Sequence, residues 1–212
     1  MSTFSPLSPF SPDPAVQSML RILAALERRR NLFVSYHHRL DQPVYNALTT
    51  IYGAGFTWFQ NNSVEERVQS DKSDYIYRRI SENHITGSSC TIVLCGQDTP
   101  WRKHVDWEVK ATLDKLHGLV ALILPSMRKH FFSGKFLVGD RIWENISSGY
   151  AVVLWWEEIV RDPTLLKVRI EEAIAKPSRL LQNTLPMLPT NKTPPWWAVP
   201  VNRFVPRLER FG

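Results

Sequence analysis

Apolar positions along the chain follow two rhythms. Four short, nearly continuous apolar runs read as buried strands: NLFVSY at 31–36, TIVL at 91–94, LVALIL at 119–124 and YAVVLW at 150–155. Between them, apolar residues recur at three- and four-residue spacing, which predicts helices over 43–52, 73–84, 104–116 and 164–175. A further helix is expected to start near Pro14, with Val16, Met19, Leu20, Leu23 and Leu26 on one stripe. Residues 53–62 are aromatic and read as irregular. Strands that are apolar throughout, alternating with helices, indicate a mainly parallel sheet covered on both faces. The expected fold is α/β, a doubly wound sheet of about five strands in flavodoxin-like order. In such sheets ligands bind beyond the carboxyl ends of the strands, which directs attention to the loops after Tyr36, Gly96 and Leu124.

Domain organisation follows from where this alternation starts and stops. Residues 1–29 form an N-terminal extension with a helix, its first 13 residues rich in Ser and Pro and expected to be disordered or extended. Residues 30–176 form the α/β domain. Residues 177–212 hold seven of the 15 prolines together with Trp196, Trp197, Phe204 and Phe211, too apolar for a plain linker. That composition fits either a segment wrapped over the domain or one docked on a partner.

Composition adds only limits. With 212 residues, 43% hydrophobic and 22% charged, the chain can bury a core of its own. A net charge of +6 permits an anionic partner without naming one. Cys90 and Cys95 stand five apart on one strand and face opposite ways, so no disulfide between them is expected. There is neither a signal-peptide pattern nor an apolar run of membrane-spanning length, so a cytoplasmic location is expected, with the Asn-x-Ser/Thr matches at Asn61, Asn145 and Asn191 due to chance. Phosphate-loop, dinucleotide-fingerprint, zinc-spacing and nucleophile-elbow motifs are absent, and no metal is implied.

The helix over 104–116 carries the most informative chemistry. Val105, Val109, Leu113 and Leu116 make its buried stripe. Glu108 falls beside that stripe, where a carboxylate is shielded yet faces the cleft above the sheet, with His104 and Thr112 one turn away on either side. Trp101 and Trp107 are placed to frame a pocket for a flat ligand. His37 and His38 follow the first strand, where a histidine pair is more often packing or surface than a ligand-binding site.

At these residues the chain resembles the TIR-like proteins of bacterial antiphage defence, the Thoeris type. The resemblance rests on FVSYHHRLD at 33–41, TIVLCGQDT at 91–99, WRKHVDWEV at 101–109, LHGLVALILP at 116–125 and the closing strand and helix at 150–175. It implies an enzyme that cleaves the nicotinamide–ribose bond of NAD, with Glu108 as the catalytic carboxylate. It also implies an NAD pocket shaped by Ser35, Tyr36 and His37, with Phe33 just before them. Trp107 is expected to border that pocket, and Arg102 and Lys103, beside the loop, are placed either to meet the pyrophosphate or to lie on the solvated surface. NAD would be substrate, with no metal. The product would be an ADP-ribose-derived signal, hydrolysed or cyclic, that reaches a downstream effector by diffusion; self-association is also expected. Residues 53–72 depart from many TIR domains, so no pocket residue is assigned there. The competing reading is a non-enzymatic TIR-like interaction module acting through Trp196 and Trp197. A nucleic-acid binder ranks last, because apart from Arg28–Arg30 the basic residues are scattered.

Overall fold

A computed structural model of the protein describes residues 13–27, 30–60, 73–130 and 132–200. Asp13 opens helix α1 (Pro14–Glu27), its carboxylate accepting the Ala15 amide at 2.7 Å. The predicted stripe on this helix is not buried: Val16, Met19, Leu20 and Leu23 all stand about half exposed. The expectations for residues 1–12, 61–72 and 201–212 lie outside the described residues.

The domain proper runs β1 (Arg30–Ser35), α2 (His38–Tyr52), β2 (Phe56–Gln60) and α3 (Ser73–Ile80), which passes into a wide turn at Ser81–Ile85. Then follow β3 (Cys90–Cys95), a tight turn at Thr99–Trp101, α4 (Lys103–Asp114), β4 (Gly118–Ile123), β5 (Arg128–His130) and α5 (Asp140–Ser147). The closing elements are β6 (Val152–Trp155), α6 (Trp156–Arg161), α7 (Thr164–Ile174) and β7 (Ala198–Pro200). Five strands form one parallel sheet in the order β2-β1-β3-β4-β6. This is the expected flavodoxin-like winding, which reverses direction between β1 and β3.

Strands β3 and β4 are buried at every position, as their unbroken apolar runs require. On one face Leu32, Val34, Ile92, Leu94, Val120 and Leu154 pack against α2 and α7 through Leu48, Leu166 and Ile170. On the other, Val93, Leu119, Ala121 and Ile123 pack against Val105, Val109 and Leu113 of α4 and Ile142 of α5. Each such side chain withdrawn from water contributes about 1.5–3 kcal/mol. Cys90 belongs to the first cluster and Cys95 to the second, both free and buried. At Gly118 an added Cβ would lie 2.8 Å from the Ile174 backbone, so glycine lets α7 close on the start of β4.

Three expectations need correction. Residues 56–60, read as irregular, form the edge strand β2, in register with β1 from Arg30↔Phe56 to Val34↔Gln60. An edge strand takes its stability from the neighbour it pairs with, so it shows no continuous apolar run. Helix α2 begins at His38 rather than Pro43, and Pro43 stands in its second turn, where it gives up one amide donor. Leu116 is not on the buried stripe of α4. It is 63% exposed and left-handed at φ 57°, closing the helix with bonds from its own amide to the Leu113 carbonyl and from the His117 amide to the Thr112 carbonyl.

The segment after α7 wraps over the domain, one of the two alternatives its composition left open. It crosses the outer side of α4 and α5 and ends as β7, antiparallel to β5. Arg141, 2% exposed, anchors this strap by binding Asp106 at 2.9 Å, Asn183 at 2.7 Å and the Pro186 carbonyl at 3.0 Å. Asn145 exchanges bonds with both the amide and the carbonyl of Gln182, and the Asn191 side chain accepts the Lys103 amide.

Candidate functional site at the carboxyl edge of the sheet

Helix α4 runs back across the sheet, so its first turns lie over the carboxyl ends of β1 and β3 and its last turn over their beginnings. Two contacts set its depth. The hydroxyls of Thr112 and Thr91 meet at 2.7 Å, and one turn earlier the Ser35 hydroxyl donates to the Glu108 carboxylate at 2.5 Å. Ser35 is the last residue of β1 and pairs in register with Val93. Glu108, 4% exposed, therefore lies just under the carboxyl edge, between the two strands where the winding reverses. Helical spacing placed it beside the stripe, and the sheet brings the β1 serine to it.

Above this pair lies a ring of polar groups. His37 is buried after β1, and burial together with the nearby Arg102 pulls its imidazole down to about 4. His104, on the first turn of α4, is lowered to about 4 by burial and by Lys103. Both rings are thus neutral at pH 7, and the Nδ1 atom of each is buried without a hydrogen-bond partner among the described residues. Asp41, 2% exposed, accepts a bond from the Thr99 hydroxyl at 3.1 Å, and burial lifts its carboxyl to about 6. Its carboxylate lies against the Cα of Gly96, where any Cβ would collide with it. Asp98 takes Arg102 at 3.0 Å and Arg128 at 3.7 Å, so two guanidinium groups share one carboxylate at the edge. Nε of both arginines is buried with no hydrogen-bond acceptor among the described residues, that of Arg128 standing 3.7 Å from Asp98 Oδ1.

Of the residues predicted for a pocket, Ser35 bonds Glu108 and His37 follows at the same edge, whereas Tyr36 turns to the α2 face of the sheet, stacked on Tyr45 at 4.9 Å with its hydroxyl donating to Gln42. Phe33 and Trp107 are not presented to a ligand. They pack on each other's cluster with Ile76, Ile80, Ile85 and Ala111, and the Trp107 indole N–H donates to the Leu188 carbonyl of the strap at 2.9 Å. The strap covers Trp107, a contact that local periodicity does not contain. Lys103 is turned onto the Trp107 ring at 5.3 Å, away from the arginine pair. Sequence reasoning missed Asp41, Thr99, Asp98 and Arg128. The first three stand in or next to loops already singled out, and an acidic residue in the first turn of α2 or in the β3–α4 loop was the available signal. Arg128 carried none, because β5 was not predicted. No group of three or more His, Cys, Asp or Glu side chains that could hold a metal occurs among the described residues. No described helix is long and apolar enough to cross a membrane.

A parallel five-stranded sheet of this winding, flanked by helices and bearing a buried glutamate over its switch point, defines an α/β domain of the TIR-like class. Residues 33–129 match the family described as Thoeris protein ThsB, TIR-like domain, a family of antiphage defence. The match runs from β1 into β5 and contains Glu108; it leaves out α1, β6, α7 and the strap. No curated protein matches the chain.

Proposed function

We propose that the protein cleaves NAD at its nicotinamide–ribose bond and releases an ADP-ribose-derived signal, with Glu108 as the catalytic carboxylate. The observation that carries this reading is the Ser35–Glu108 pair, a buried carboxylate oriented by a hydroxyl at the ligand-binding edge of the sheet. When the C1′–N bond breaks, its electrons leave with nicotinamide as a neutral base, and the ribose becomes an oxocarbenium ion. A carboxylate at that point stabilises the developing positive charge and orients a ribose hydroxyl. Attack by water on C1′ gives ADP-ribose and a proton; attack by a nucleophile within the same molecule gives a cyclic product. The guanidinium groups of Arg102 and Arg128, gathered on Asp98 at this edge, suit the diphosphate. Ser35 and His37 would line the nicotinamide-ribose end. Because Glu108 is almost wholly buried, substrate entry requires the residues over it to part.

A second reading is favoured by a different observation. Val16, Met19, Leu20 and Leu23 leave an apolar stripe of α1 open to water, while Trp196 is 78% exposed against a similarly open Phe132. Such surfaces suit self-association, either as the whole function of an interaction module or alongside catalysis.

Nicotinamide release from NAD by purified protein, wild type beside Glu108→Gln, decides between the two, with product masses separating hydrolysis from cyclisation. Release by the wild type, lowered on the order of a hundredfold or more in the variant, is the expected result. Equal rates for the two proteins, in purified form and in extracts of phage-infected cells, would overturn the catalytic reading.

A further inference from the structure

A cavity of about 480 Å³ opens on the side of α4 away from Glu108. Val105, Asp106 and Val109 face it from α4, α5 supplies Ile142 and Trp143, and the strap closes it with Leu185, Met187 and Leu188. This volume is that of a small-molecule site. Arg141 and Asp106 hold the strap wall in place, Asp106 accepting the Leu188 amide at 2.8 Å, so the wall is ordered before anything binds.

Aromatic rings and amines are set among the aliphatic side chains of the lining. Trp101, Trp143, Trp197 and Phe136 all contribute. Trp143 leaves 49% of its surface in water, although its neighbours Arg141 and Ile142 on the same helix are buried. An indole so placed offers a free face for stacking. Lys135 and Lys192 also line the cavity, and neither has an ion pair among the described residues. Of the acidic groups at the wall, Asp106 is already engaged by Arg141 and the Leu188 amide, which leaves Asp140. The balance favours an anion with a flat ring.

We propose that this cavity is a second ligand site, distinct from the carboxyl-edge site, and that it takes a planar aromatic anion of the nucleoside monophosphate class. The ring stacks on Trp143 and the phosphate meets Lys135 and Lys192. The two sites share only the Thr99–Arg102 turn, which lines the cavity on one side and binds Asp41 on the other.

Calorimetric titration of the full chain with AMP, and with adenosine as its uncharged counterpart, tests this assignment. AMP is expected to bind the wild type and adenosine at least tenfold more weakly, as loss of a charge-assisted contact demands. Trp143→Ala should weaken AMP roughly fivefold or more through lost stacking, and Lys135→Ala with Lys192→Ala about tenfold. All three side chains are exposed, so the variants should melt like the wild type. No AMP binding at millimolar concentration, equal affinity for adenosine, or binding indifferent to both sets of substitutions would each overturn the proposal.

Discussion

The two long sides of α4 carry carboxylates two residues apart with opposite circumstances. On the outer side, Asp106 is paired with Arg141 at 2.9 Å and also accepts the Leu188 amide, so its charge holds the strap. On the inner side, Glu108 is more deeply buried and meets a serine hydroxyl at the edge of the sheet. A carboxylate withdrawn from water costs several kcal/mol unless it is well paired. Asp106 is matched by a guanidinium that itself has three polar partners, which is what structural use looks like. Glu108 accepts the Ser35 hydroxyl in the place where ligands of such sheets bind, the position that chemical use requires. The two sides also differ in what covers them: the parallel sheet on the inside, and on the outside an irregular segment some 80 residues further along.

Breaking the outer side should have the largest effect on the fold. Arg141→Ala strands Asp106, Asn183 and the Pro186 carbonyl together, and loss of one partner of a buried ion pair costs about 3–5 kcal/mol. Urea unfolding should show this loss, and Trp107 should become accessible to quenchers as the Leu188 contact is released. The inner side answers to a different assay. Glu108→Gln should reduce nicotinamide release on the order of a hundredfold or more while leaving the strap in place, so its proteolytic pattern should match the wild type.

The polar ring above Glu108 sharpens the contrast through pH. The Asp41 carboxyl is raised from 3.8 to about 6, so its contribution to stability is fully present below pH 3.8 and is lost as pH rises through 6. Asp41→Asn removes that loss. It should stabilise the protein at pH 7 by at most about 3 kcal/mol, with the advantage fading towards pH 4 in urea unfolding series. His37 works in the reverse sense. Its imidazole is lowered from 6.5 to about 4, so its contribution is present above pH 6.5 and is lost as pH falls through 4. His37→Gln should therefore flatten the acid side of the stability profile, which Asp41→Asn would steepen. A steeper acid limb in His37→Gln would contradict the burial of a neutral ring at the edge.

The smallest expected effect lies where both sides of α4 end. Leu116 holds a left-handed conformation with most of its side chain in water, so Leu116→Gly removes backbone strain at little cost in packing. Thermal unfolding should show a gain of roughly 1 kcal/mol. A loss instead would mean that the exposed leucine packs on something these contacts do not include.

Much of the inner side was legible in the sequence. Continuous runs such as TIVL and LVALIL have to be central parallel strands, because only burial on both faces accommodates them, and the helical spacing of Val105, Val109 and Leu113 necessarily puts Glu108 beside the buried stripe. The loops after β1 and β3 followed from the winding rule, while Ser35, Tyr36 and His37 were named there by the family resemblance. The strands, the stripe and the loops rest on local period and topology, which a single chain displays directly. The tertiary structure alone decided the remainder. It gave β2 a partner in β1, turned Leu116 out to solvent, buried Asp41 against Gly96, and brought Arg128 to Asp98. It also laid a proline-rich tail across α4, converting Trp107 from a pocket wall into a strap anchor and Trp143 into the side of a cavity. Apart from the local turn at Leu116, these depend on contacts between residues far apart in the chain, whose energy lies in complementary shape and charge and leaves no period in the sequence to read.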